Sequence, residues 1–258
     1  MDLQLNGKTA LVTGSTAGIG LAIAQALAKE GAAVIVNGRT EERVRAAMKT
    51  SGAAHGIAAD LATEAGAQKL IAEFGQVDIL VNNLGIFEPK PFAEITDDDW
   101  RRFFEVNVLS GVRLSRHYIG AMKERNWGRI VFISSESALQ IPPEMIHYGM
   151  TKTAQLAISR GLAETTAGTG VTVNAVLPGP TASEGVTEFV QQLAKGQGTD
   201  VAAVEREFFR DVRPSSLIKR FATPAEVAAL VAFVCSPLAA AINGAALRVD
   251  GGVVRSIA

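Results

Sequence analysis

The amino-acid sequence predicts one doubly wound α/β domain built on a mostly parallel sheet. Three observations predict it. Short apolar runs of strand length alternate along the chain with longer stretches of helical period, and the connections are short except in one place. The runs are apolar at successive positions, as in parallel strands buried on both faces. No linker, internal repeat or low-complexity tract divides the 258 residues, and nearly half of them are apolar, enough for a large core.

Composition narrows the function. Net charge is −1 and positive charge forms no run, so neither nucleic acid nor an anionic membrane is expected as the main partner. Met1-Asp2-Leu3-Gln4 lacks a basic segment leading into an apolar one, so no signal peptide is expected. No uncharged apolar run approaches the ~18 residues of a membrane span. The lone Cys235 excludes an intrachain disulfide framework and fits a reducing cytoplasm. Its apolar flank reads as buried helix, which makes it a core thiol.

Residues 9–13 (TALVT) form the first strand. Gly14-Ser15-Thr16-Ala17-Gly18-Ile19-Gly20 follows, and then the helical pattern Ile19, Ile23, Ala26, Leu27, which ends at Gly31. A glycine-rich turn opening a helix lets the backbone approach a diphosphate at the positive end of the dipole. A tight structural turn accounts for the same residues, and the spacing is not that of the general dinucleotide fingerprint. The second strand, 33–37, ends in Gly38-Arg39. A carboxylate there would bind the ribose diol of NAD and repel a 2′-phosphate. Gly38 with Arg39 favours NADP, because a guanidinium is a planar fork of donors suited to phosphate. Thr40 caps the next helix, and Glu41 and Glu42 complement its dipole.

The third strand, about 55–59, leads into Asp60-Leu61, and 63–74 is helical. The fourth, 79–81, runs into Asn82-Asn83-Leu84-Gly85. Two amides and a glycine at the carboxyl end of a strand suit either ligand binding or a turn. Thr96 caps a helix whose first turn is Asp97-Asp98-Asp99, a capping pattern and not a metal site. That helix continues with interruptions to about residue 126. Asn107 lies within it on an apolar face, as a satisfied structural amide or as one that distorts the helix and binds water.

The fifth strand, 129–133, ends in Ser134-Ser135. Pro142-Pro143 place the start of the next helix near Met145. Tyr148 and Lys152 on that helix are four residues apart, hence one turn apart on one face. A free phenol titrates near ~10, too high for efficient acid–base work at neutral pH, and a nearby ammonium favours the phenolate. The pair is a candidate proton-transfer unit. The sixth strand, 171–177, precedes Pro178-Gly179-Pro180-Thr181. Residues 181–220 are weakly periodic and rich in Gly, Gln, Ser and charge, as expected of short helices covering a site. Their Phe189, Leu193, Phe208, Phe209 and Leu217 suit an apolar pocket wall, packing or a subunit contact. Pro224 opens a last helix reaching Cys235, and 246–249 is the last strand, followed by Asp250-Gly251-Gly252.

Thr13-Gly14-x3-Gly18-Ile19-Gly20, Asp60, Asn82-Asn83-x-Gly85, Asn107, Ser135, Tyr148-x3-Lys152 and Pro178-Gly179 occur in this order. The ordered set, spanning about 5–252, resembles the short-chain dehydrogenase/reductase family. The resemblance implies a Rossmann-type three-layer αβα sandwich with a seven-stranded sheet, an NAD(H) or NADP(H) cofactor, and a homotetramer or homodimer. It gives Tyr148 the role of general acid in reduction and base in oxidation. Lys152 lowers its pKa and holds the nicotinamide ribose, Ser135 hydrogen-bonds the substrate oxygen, and Asn107 holds a water linking Lys152 to solvent. Gly14, Gly18 and Gly20 line the diphosphate with Ile19 beside them. Asp60 and Leu61 flank the adenine and Asn83 the adenosine side. Pro178 and Gly179 meet the nicotinamide, and Gly85 and Thr181 complete the cofactor set.

Three positions depart from the family pattern. Leu84 stands where alanine is commoner. Ser183 stands where a threonine meeting the carboxamide is common. Ala17 stands where many NADP members carry a second basic residue, which leaves a 2′-phosphate to Arg39, with Ser15. His147 has no implied role and reads as a loop or helix-start residue. His55 and His117 show no ligand spacing, so no metal is expected. The function this implies is an NADP(H)-preferring carbonyl reductase or alcohol dehydrogenase, nearest the 3-oxoacyl-carrier-protein reductases, with NAD(H) as the other possible cofactor. NAD-dependent sugar or polyol dehydrogenases and steroid-like reductases share the motifs. A dinucleotide-sensing binding protein on the same fold is the alternative from another class, and the presence of both Tyr148 and Lys152 argues against it.

Overall fold

A computed structural model of the chain describes residues 1–257, the side chains of Phe189 and Gln197 excepted. Its strands are β1 (Thr9–Val12), β2 (Ala33–Gly38), β3 (His55–Ala58), β4 (Ile79–Asn82), β5 (Gly128–Ile133), β6 (Val171–Pro178) and β7 (Ala246–Val249). They form one seven-stranded sheet in the order β3-β2-β1-β4-β5-β6-β7, and every neighbouring pair is parallel. Strand order reverses between β1 and β4, where Ala10 pairs with Ile79. Ligands of open α/β sheets bind at the carboxyl ends of the strands beside such a reversal.

The helices are α1 (Gly18–Lys29), α2 (Glu41–Ser51), α3 (Glu64–Glu73), α4 (Asp97–Phe104), α5 (Ser110–Glu124), α6 (Ile146–Glu164), α7 (Glu184–Gln197), α8 (Val201–Glu207) and α9 (Pro224–Val234). Side chains alternate between the two faces of each strand, and both faces are buried. On one face Val12, Val34, Val36, Val81 and Val131 pack with Ile23 and Leu27 of α1, Val44 of α2, and Val227, Val231 and Cys235 at α9. On the other, Leu11, Ile35, Leu80 and Phe132 pack with Leu70 of α3, Leu114, Tyr118 and Met122 of α5, and Ala163 of α6. This is the three-layer αβα sandwich that the motifs imply. Cys235 is fully buried and its thiol is pushed up to about 12 by desolvation.

Two segments are more regular, or irregular in a more specific way, than the sequence suggests. The interruption in the helix after Thr96 is one wide turn of π type, Glu105–Leu109, between α4 and α5. The covering segment contains the 14-residue α7 followed by α8. Val186, Val190 and Ala194 give α7 an apolar stripe, and with Val204 and Phe221 they form a small core of their own. Thr96 and Asp99 form a reciprocal capping box, and Asp99 also binds Lys90 at 2.6 Å. These contacts hold the Asp99 carboxyl well below its usual range. Among the described residues no helix is long and apolar enough to cross a membrane.

Candidate active site

The site is built at the carboxyl ends of β1, β4, β5 and β6. Thr13, after β1, accepts from the main-chain N–H groups of Asn83 (2.9 Å) and Leu84 (3.0 Å), which pins the β4 loop to the glycine turn. The Asn83 amide donates to the carbonyls of Thr13 (2.9 Å) and Gly14 (3.1 Å). Asn83 thus shapes the turn, and its donors are already used. Gly18 has φ +54°, a left-handed conformation that suits glycine. A Cβ on Gly20 would stand 2.4 Å from the Asn83 amide and 2.6 Å from the Gly14 carbonyl. Only glycine fits there, because the turn and the β4 loop pack directly against this position.

Ser15 does not take the place expected of it. Its side chain is fully buried, donates to the Val12 carbonyl at 2.7 Å and accepts from the Asn37 N–H at 2.9 Å, while its own N–H donates to Asn37. These contacts tie β1 to β2 and leave nothing for a phosphate. Thr16, which the sequence reading passed over, is the neighbour of Gly38 instead. A Cβ on Gly38 would lie 2.4 Å from Thr16 Cγ2, so no carboxylate-bearing residue fits at position 38 without displacing Thr16. Arg39 is exposed and makes no ion pair or side-chain hydrogen bond among the described residues. It is a free cation at the end of β2. Asp60 is exposed, with its carboxylate accepting from the Ala62 N–H. The Leu61 side chain is core, 1% exposed, so only its main chain can face an adenine.

Asn107 sits in the wide turn and is 1% exposed. Its side chain bonds both main-chain groups of Ile86, accepting from N–H at 2.8 Å and donating to C=O at 3.0 Å, and it also donates to Thr151. It thereby locks the β4 loop to α6. Its main-chain carbonyl accepts from Gln155 Nε2 at 2.5 Å. Gln155 thereby reaches the wide turn from α6. Lys152 is 4% exposed, donates to the Ile133 carbonyl at 2.9 Å, and has Gln155 Oε1 at 3.4 Å. Ser134 donates to the Lys152 carbonyl at 2.9 Å, which joins α6 to the end of β5.

Tyr148, Lys152 and Ser135 converge on one cavity of about 580 Å³. Lys152 Nζ lies 5.6 Å from the Tyr148 ring centre. Burial pushes Lys152 down to about 8. It pushes the Tyr148 phenol well above its ordinary value, although the Ser135 hydroxyl beside it and the Arg213 charge pull the other way. Desolvation is the largest cause for both, and it disfavours the charged form of each group. The Ser135 hydroxyl donates to Glu136 Oε2 at 2.5 Å. Glu136, 4% exposed, also accepts from Arg213 Nε at 3.2 Å, and Arg213 Nη1 reaches Glu144 at 3.3 Å. Neither Glu136 nor Arg213 was singled out from sequence. Glu136 was signalled only by a carboxylate next to Ser135, and Arg213 by nothing local.

The remaining members of the expected set fall around the same cavity. Ile19, Asn83, Gly85, Pro178, Gly179, Thr181 and Ser183 line it, with Leu193 and Phe208 from the covering segment. Thr181 Oγ1 donates to the Gly179 carbonyl. Phe209 instead is 2% exposed and packs on Phe208 and Phe221, while Leu217 is 81% exposed and lies against Gly252. The Phe189 side chain lies outside the described residues. His147 is a core residue, fully buried with its ring 4.0 Å from that of Phe103. A larger depression of about 790 Å³ near the last residues holds none of these groups. Among the described residues no three His, Cys, Asp or Glu side chains are grouped to hold a metal ion.

The short chain dehydrogenase family model matches residues 8–194. The chain belongs to that family. The uncharacterized oxidoreductase YvaG of Bacillus subtilis (strain 168) is 53% identical, with 100% of each chain covered. The 3-oxoacyl-[acyl-carrier-protein] reductase FabG of Aquifex aeolicus is 35% identical, with 98% of this chain and 100% of that one covered. Among solved structures, L-sorbose reductase from Gluconobacter frateurii, complexed with NADPH and L-sorbose, superposes with a TM-score of 0.92 at 33% identity over 100% of both chains. Like these short-chain dehydrogenases, the protein is an oxidoreductase. The start of α1, which no side chain caps, and the cavity beside Lys152 fit the dinucleotide that the family uses.

Proposed function

We propose that the protein is an NADP(H)-dependent carbonyl reductase that also runs in reverse on the matching secondary alcohol. The observation that carries this reading is the convergence of Tyr148, Ser135 and Lys152 on a cavity bounded by the glycine turn and Pro178-Gly179. Bound NADP(H) would supply the hydride in reduction and accept it in oxidation. Arg39, exposed at the end of β2, is the residue that would hold the 2′-phosphate. In reduction Tyr148 gives its proton to the substrate oxygen, and its raised pKa keeps it protonated and ready to donate. Ser135 orients that oxygen by turning its hydroxyl from Glu136 to the substrate. Lys152, charged below about 8, stabilises the phenolate left behind.

Val186, Val190, Leu193 and Phe208 give the cavity an apolar wall that suits an acyl chain, in line with a 3-oxoacyl reductase-like substrate. The carboxylates of Glu136, Glu144, Glu207 and Asp211 on the same cavity favour a second reading, a neutral hydroxylated ketone such as a sugar or polyol. A panel of both substrate types with NADPH and NADH separates the two. Tyr148→Phe keeps the ring and deletes the acid. Turnover on the best substrate should fall by about 10²–10⁴-fold with NADPH affinity little changed. Near-normal turnover by this variant would remove Tyr148 as the acid, whereas no turnover by the unmodified protein across the panel would reopen the non-catalytic, dinucleotide-sensing reading.

A further inference from the structure

The link between the wide turn and Lys152 is made by a residue to which neither the motifs nor the relatives assign a role. Gln155 lies three residues after Lys152, hence on the same face of α6, and is 2% exposed. Its Nε2 donates to the Asn107 main-chain carbonyl at 2.5 Å, and its Oε1 faces Lys152 Nζ at 3.4 Å. Chemistry fixes this orientation. A carbonyl can only accept and an ammonium can only donate, so a flipped amide would set oxygen against oxygen and N–H against N–H. Wide turns of π type occur often at functional sites, and here Asn107 on that turn provides the fixed end of the link.

We propose that Gln155 is the positioning residue for the Lys152 ammonium: anchored to Asn107, its amide oxygen holds Nζ in place and favours its charged form. The proposal rests on the reading of Lys152 as the cation that serves Tyr148. The groups facing Nζ are the Ile133 carbonyl at the end of β5, Gln155 and Tyr148 on α6, and the Asn107 side chain and Gly85 from the neighbouring loops. Glu136 and Arg213 stand farther out, as a mutually neutralising pair beside Tyr148. Among these, the Gln155 and Ile133 oxygens are the acceptors in reach of Nζ. Lys152 is already lowered to about 8 by burial, so a lost acceptor changes its charge within the working pH range.

The sign of each substitution follows. Gln155→Leu removes the oxygen dipole, disfavours the ammonium, and moves the Lys152 titration to lower pH. Gln155→Glu places a full negative charge at the same atom and moves it to higher pH. The direct readout is the pH titration of the Lys152 ¹³Cε resonance in the ligand-free protein. The second is the pH dependence of kcat/KM for NADPH-linked reduction. We expect opposite displacements of about one pH unit in both readouts, so that the Leu variant loses roughly fivefold near pH 8 and recovers toward pH 6. Variants whose titrations match the unmodified protein, with only a pH-independent loss of rate, would overturn the proposal. If the Leu variant does not fold, the near-isosteric Glu variant decides alone by the direction of its shift. The ligand-free titration does not depend on turnover, so it separates failure of this proposal from failure of the reductase reading, which Tyr148→Phe tests.

Discussion

At the scale of single residues, the site depends on which polar groups have spare bonds. Ser15 has none, because the turn itself uses its hydroxyl and its N–H. Among the described residues, no group accepts from the Arg39 side chain. Arg39→Ala should therefore weaken NADPH binding by roughly tenfold to a hundredfold, as expected for a lost charge-assisted contact, and leave NADH binding unchanged. Fluorescence titration of both cofactors measures this, and equal losses for the two would remove Arg39 from the 2′-phosphate. Arg39 was legible in the sequence because an exposed cation at a strand end needs no tertiary partner to be recognised. The misassignment of Ser15 has the opposite cause. Whether a serine after a strand faces a ligand or the next strand is decided by Asn37, 22 residues away. Gln155 was within reach of spacing arguments but had no partner visible in sequence, since its amide answers to a main-chain carbonyl 48 residues earlier.

Among the elements, the covering segment carries the most consequence. α7 and α8 share a small apolar core and are fixed to the catalytic loop by the buried Arg213–Glu136 pair, whose side chains are 10% and 6% exposed. The other end is tied more weakly, by the half-exposed Arg43–Glu184 pair between α2 and α7 at 3.4 Å. Exposed pairs of this kind contribute about 0–1 kcal/mol, whereas removing one member of a buried pair costs about 3–5 kcal/mol. The hinge is thus expected at the Glu184 end and the latch at Arg213. Hydrogen exchange over 184–213 should slow when NADPH and substrate bind. In unliganded Arg213→Met it should speed up by roughly a hundredfold or more. Equal protection in all three states would end the gating role. β1, β4 and β5 were readable because each is a largely apolar run closed by Gly, Asn or Ser. The latch was not readable, because its members lie 77 residues apart and neither belongs to a motif.

For the whole molecule, the resemblance leads us to expect a homotetramer, with a homodimer as the alternative. β7 ends the sheet with Ala246 exposed and its other residues only half-buried. Leu217 and Ile218, exposed by 81% and 41%, lie against Gly252 and Gly251 just beyond it. An apolar edge of this kind marks a contact surface. Light scattering should give four times the 27.1 kDa chain mass, and Leu217→Glu should lower it. A monomer at micromolar concentration would contradict the expectation. The layering of the sandwich also sets a condition on synthesis. α1 follows the first strand, yet the apolar surface formed by Ile23, Ala24 and Leu27 is closed by Val227, Ala228 and Val231 of α9, some two hundred residues later. On the ribosome, the amino-terminal half can pair β1 through β4 and still present an open apolar trough until α9 emerges. The nascent chain therefore spends most of its elongation in a form prone to aggregation and open to chaperones, and the last helix completes the fold begun by the first.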